Sequence, residues 1–133
     1  MSAPSLRAPD ADPRLPALIE LARDLFAQRY DGLFVFDGSL TVREWNRRIE
    51  ELSGRARHNV IGRPLLELFP RLRDEARAQA LRDALQGRSL QLKSECCVLA
   101  DPELAASFDT HFLPLMRDGT VLAVAAVVRD RIS

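Results

Sequence analysis

The 133-residue chain has only two cysteines, Cys96 and Cys97, and they are adjacent. Neighbouring residues seldom bridge each other, so no disulfide framework is available and a reducing compartment is expected. An excess of charge of either sign is also missing. The 19 Lys and Arg residues balance 19 Asp and Glu, which removes the net positive field on which non-specific binding to nucleic acid or anionic membrane rests. No apolar run is long enough to cross a bilayer. The longest, Val121 to Val128, falls far short of the roughly 20 residues required. The first ten residues lack the apolar stretch of a signal peptide. These absences predict a cytoplasmic chain with no nucleic-acid partner and no direct membrane insertion.

What remains is an ordinary globular composition, 47% hydrophobic, of a length that suits one domain. A chain of this size buries roughly two thirds of its unfolded surface, enough for one core without staples. Half of the eight prolines, Pro4, Pro9, Pro13 and Pro16, fall in the first 16 residues, so residues 1–13 are read as a disordered lead-in. From Arg14 to Arg29, Leu15, Leu18, Ala22 and Leu25 recur at helical spacing, widened by Ile19, Leu21 and Phe26. This flanking helix packs either on its own domain or, through that stripe, on a second copy as a dimer seam.

Asp31-Gly32 is a turn, and Leu33–Asp37 and Leu40–Trp45 read as a hairpin around Gly38-Ser39. The first strand is apolar on both faces, so both should be covered. Asn46 stands where a helix should start and can accept from its free N–H groups. Arg47 to Ser53 is that helix, stopped by Gly54. Arg55 to Gly62 reads as irregular. Pro64 opens a helical turn over Leu65 to Phe69, which Pro70 closes, and Leu72 to Gln86 is a longer helix ending before Gly87. Ser89 to Val98 alternates with period two, Ala100 to Ser107 is a loop, and Phe108–Met116 and Thr120–Arg129 are strands joined by an Asp118-Gly119 turn.

The order of these pieces resembles the PAS (Per-ARNT-Sim) sensor family. The residues that carry the likeness are Asp31-Gly32, Trp45-Asn46 through Gly54, Ile61-Gly62-Arg63, Leu65 to Pro70, Gly87, Pro114 and Asp118-Gly119. It spans residues 30–132, and its structural positions are Asn46, Gly54, Gly62 and Gly119. At the exit, Asp130 is followed by Arg131, Ile132 and Ser133, not by the family's aliphatic residue and Thr or Ser. The resemblance implies an α+β fold: a five-stranded antiparallel sheet in the order β-β-α-α-α-β-β-β, with short helices lidding a small cavity and the N-terminal helix outside. It further implies a sensory or regulatory module, attached to a histidine kinase, diguanylate cyclase or transcription regulator. The partners expected are a second copy and a downstream signalling domain.

No cofactor is expected. Heme-binding members place an axial histidine on the long helix, whereas Leu72 to Gln86 has none and His58 and His111 lie elsewhere. Flavin-adduct members carry an Asn-Cys-Arg-Phe-Leu-Gln motif where this chain reads Gly62-Arg63-Pro64-Leu65-Leu66-Glu67. Cys96 and Cys97 point to opposite faces of a strand and cannot supply a zinc ligand set, so no metal is expected. No phosphate loop, nucleophile elbow or carboxylate pair argues for an enzyme. Alternation and the resemblance give a candidate apolar pocket of Phe34, Phe36, Ile49, Leu52, Ile61, Leu65, Leu81, Leu85, Leu90 and Leu92. These residues either fill the centre or line a site for a small apolar ligand, since burying a charged one without a partner costs several kcal/mol. The alternative is a ligand-free interaction and dimerisation module.

Overall fold

The computed structural model describes residues 13–27, 31–92 and 107–130. The cysteine pair, nearly all of the lead-in and of the Ala100–Ser107 loop, and the later part of the Ser89–Val98 strand lie outside them. In chain order the elements are α1 (Leu15–Ala27), β1 (Gly32–Asp37), β2 (Val42–Trp45), α2 (Arg47–Ser53), α3 (Arg57–Val60), α4 (Leu65–Leu68), a 3-10 turn (Pro70–Arg73), α5 (Glu75–Leu85), β3 (Leu90–Leu92), β4 (Phe108–Arg117) and β5 (Thr120–Asp130). The strands form one antiparallel sheet in the order β2-β1-β5-β4-β3. β1 and β5 lie at its centre although one comes first and the other last in sequence.

β1 is buried along its whole length, as its two apolar faces predict. Phe34 and Phe36 face the short helices, and Leu33 and Val35 face α1. The sheet therefore has helices on both sides, with separate apolar clusters above and below β1 and β5. The inner layer is close-set. A Cβ on Gly32 would meet Ile49 Cδ1 at 3.0 Å and Val128 Cβ at 3.3 Å, so glycine here lets α2 lie directly on the sheet.

Several local readings are corrected. The segment Arg55 to Gly62 is not wholly irregular, because it contains the helical turn α3. Pro70 begins the 3-10 turn rather than closing a helix, and α4 ends at Leu68. The long helix starts at Glu75, not Leu72, because Asp74 takes the cap position and accepts from Arg77 N. β2 starts at Val42 rather than Leu40. Leu40 has φ +62°, outside strand geometry, and the Asp37 carboxylate gathers Ser39 N, Thr41 N and Arg43 Nε at 2.7–3.1 Å around the turn.

Candidate functional site

The inner layer is organised by a chain of aromatic rings. Phe69 stacks on Trp45 with centroids 5.7 Å apart and planes 10° from parallel. Trp45 meets Phe34 at 5.3 Å, Phe34 meets Phe36 at 6.3 Å, and Phe36 meets Phe112 edge-on at 6.0 Å. The chain thus runs from the end of α4 across β2 and β1 to β4. Offset and edge-to-face pairs of this kind add about 0.5–1.5 kcal/mol each beyond their buried area. Polar groups close the rim: Trp45 Nε1 donates to Arg55 O at 2.9 Å, and the Arg55 and Arg48 guanidinium groups lie over Phe69 and Phe108.

Of the pocket residues read from the sequence, Phe34, Phe36, Ile49, Leu65 and Leu81 are buried in this layer, and Leu52, Ile61 and Leu85 pack against it. Leu90 and Leu92 pair through their backbones with Phe112 and Thr110, and their side chains lie outside the described ones. Sequence reasoning missed Val42, Trp45, Val60, Phe69, Leu72 and Phe112. Val42 and Trp45 are three residues apart yet both face inward, because the β1–β2 register shifts between Val35 and Phe36. A bulge of this kind is invisible to simple alternation. Phe112 was recoverable: if Asp109 and His111 share one strand face, Phe108, Thr110 and Phe112 share the other.

The outer face carries α1. Leu15 and Ala22 pack with Leu33, Val35, Ala123, Ala125 and Val127, and Leu18 is buried too. The two alanines on this face of β5, Ala123 and Ala125, let the helix approach the sheet. The stripe read as a dimer seam is therefore divided: Leu15 and Ala22 are covered by the chain's own sheet, and Leu18 is buried with them. Leu25 points outward at 61% exposure, beside Leu21 at 55%.

A carboxylate ties this helix to the inner layer's lid. Glu44 of β2 is 3% exposed, and it accepts from Arg23 of α1 at 2.7 Å and from Arg57 of α3 at 2.9 Å. Burying a carboxylate without a partner is costly, and here both partners come from other elements, so α1, β2 and α3 share one electrostatic joint.

The outer end of the sheet is polar. Arg129 Nη2 donates to Asp31 Oδ2 at 3.0 Å, Asp109 pairs with Arg129 across the strands, and His111 follows on the same face. Burial first, and the Arg129 guanidinium second, push the His111 imidazole below its ordinary 6.5, against the opposing influence of Asp109 and Asp31. The unfolded chain therefore takes up a proton at this residue more readily than the folded one. The contribution is complete above about pH 6.5 and is lost as the pH falls through the folded value. On acidification from pH 7.5 to 5, denaturant titrations are expected to show a larger stability loss for the parent chain than for His111→Gln. Equal losses would contradict this environment for the imidazole.

Among the described residues, no cluster of three or more His, Cys, Asp or Glu could hold a metal, and no helix is long and apolar enough to cross a membrane. His58 is exposed on α3, and His111 lies on the face away from the aromatic chain.

This fold, a central antiparallel sheet with β1 and β5 side by side and short helices over one face, is found among known proteins. A family model described as PAS fold matches residues 26–132, and the chain belongs to that family. Similar solved structures include a sensory box sensor histidine kinase from Vibrio cholerae (19% identity, TM-score 0.60, covering 88% of this chain and 94% of that one). Another is the photoactive yellow protein domain of the sensor histidine kinase Ppr from Rhodospirillum centenum (21%, 0.61, 80% and 96%). A third is the PAS domain of nitrogen regulation protein NR(II) from Vibrio parahaemolyticus (15%, 0.57, 83% and 97%). No curated protein matches the chain.

Proposed function

We propose that the chain is the sensory input module of a signal transduction protein. Its inner layer, around Phe34, Phe36, Ile49, Leu52, Ile61, Leu65, Leu81, Leu85, Leu90 and Leu92, takes a small apolar ligand, and α1 reads the state of that layer. The observation that carries this is the double burial of β1 and β5. Phe34, Phe36, Val124, Ala126 and Val128 belong to the inner cluster, while Leu33, Val35, Ala123, Ala125 and Val127, their neighbours in sequence, hold α1. A strand packed on both faces cannot shift on one side without moving the other, because interiors pack at crystal-like density. The similar structures from sensor histidine kinases support an output of that kind, with diguanylate cyclases and transcription regulators as the other candidates. The module works in the cytoplasm, as a homodimer.

Toluene is a suitable uncharged probe of the inner layer. Titrated into the full chain, it is expected to shift the amide resonances of β1, β5 and α1 together. Shifts confined to exposed residues would overturn the ligand reading.

The second reading, a ligand-free dimerisation module, is favoured by Leu21 and Leu25, large apolar side chains left exposed one helical turn apart on α1. If dimerisation uses this face, light scattering should find Leu21→Glu/Leu25→Glu monomeric at concentrations where the parent chain is a dimer. An unchanged mass would remove α1 from the interface.

A further inference from the structure

Phe108, Thr110 and Phe112 alternate onto the inner face of β4. The two phenylalanines belong to the inner apolar cluster. Thr110 is equally buried, at 3% exposure, and its Oγ1 has no hydrogen-bond partner among the described residues. By register it lies between Val128 of β5 and Leu92 of β3. Valine has the same shape and would fill this position without a polar atom. A buried hydroxyl with no partner bears its full desolvation cost, and such groups in native proteins call for a specific account.

We propose that Thr110 Oγ1 is the hydrogen-bonding anchor of the ligand held in the inner layer. That ligand is a small uncharged molecule, apolar over most of its surface, with one hydroxyl or carbonyl aimed at β4 beside Phe108, Phe112 and Val128. A threonine hydroxyl both donates and accepts, so either group satisfies it. The named side chains beside it, Phe108, Phe112 and Val128, are apolar, and a ligand charge buried among them would have no partner there. The assignment rests on the ligand reading of the inner layer given above.

The test compares toluene with benzyl alcohol, which share an apolar body and differ by one hydroxyl, in NMR titrations of the full chain and of Thr110→Ser and Thr110→Val. A neutral hydrogen bond corresponds to roughly a fivefold change in affinity. The ratio of the toluene Kd to the benzyl alcohol Kd is expected to fall at least about fivefold in Thr110→Val and to hold in Thr110→Ser, which keeps the hydroxyl. If both probes bind the inner layer and the ratio is the same in all three proteins, the anchor is wrong while the ligand reading stands. If neither probe binds there, both fail. Should Thr110→Val not fold, Thr110→Ala is read by the same ratio. A stability loss in these variants with no change in the ratio would mean that the hydroxyl is satisfied within the protein, and would also overturn the proposal.

Discussion

Trp45→Ala is expected to lower the unfolding free energy by about 4 kcal/mol, in the range found when large aromatic side chains are deleted from cores. The side chain is fully buried and lies between Phe34 and Phe69 in the aromatic chain, so its removal opens a hole bordered by two rings. It also leaves Arg55 O without its 2.9 Å donor. Domains typically have only about 5–15 kcal/mol of stability, so the variant should be marginal and its urea midpoint should fall steeply. Trp45→Phe keeps a ring and loses only part of this, an expected cost of about 1–2 kcal/mol for the lost hydrogen bond and volume. If the alanine variant costs less than about 1 kcal/mol, the ring does not organise this layer.

Asn46→Ala is expected to cost about 3 kcal/mol, more than the ~1 kcal/mol of an ordinary helix cap. The difference lies in what the amide holds. Oδ1 accepts from Ile49 N at 2.9 Å, capping α2, and also from Leu33 N at 3.0 Å, while Nδ2 donates to Asp31 O at 3.0 Å. One side chain thus fastens the start of α2 to the entrance of β1, and alanine leaves three backbone groups without their partner. Asn46→Asp separates the two functions: it keeps the acceptor, which the helix N-terminus favours, but places a carboxylate oxygen where Asp31 O needs a donor. Chemical denaturation should place it between the parent chain and the alanine variant. An aspartate variant as stable as the parent would show that the link to Asp31 contributes nothing.

Much of this was legible because it depends on local chemistry. The cap at Asn46, the left-handed stop at Gly54 and the Asp118-Gly119 turn, with φ of +55° and +78°, each follow from what one or two residues can do with their own backbone. The double burial of β1 was legible too, from Leu33-Phe34-Val35-Phe36. What failed depended on distant partners. The register shift that turns both Val42 and Trp45 inward is set by pairing between β1 and β2, so alternation along β2 does not reveal the layer's largest ring. The division of the α1 stripe is a matter of the alanines on β5, roughly a hundred residues later in the chain. The joint at Glu44 reads in the sequence as one more charge on an edge strand. Only the fold brings Arg23 and Arg57 to it from different elements.

The proposed coupling between the inner layer and α1 runs through β1 and β5, the strands packed on both faces. Hydrogen exchange of the α1 amides tests it most directly, comparing Phe36→Leu, which loosens the inner face of β1, with Leu72→Val, which loosens the helical side of the same cluster. At matched global stability, α1 is expected to exchange faster in Phe36→Leu than in Leu72→Val. Identical α1 exchange in the two proteins would show that the helix is indifferent to what happens across the sheet and that no such coupling exists.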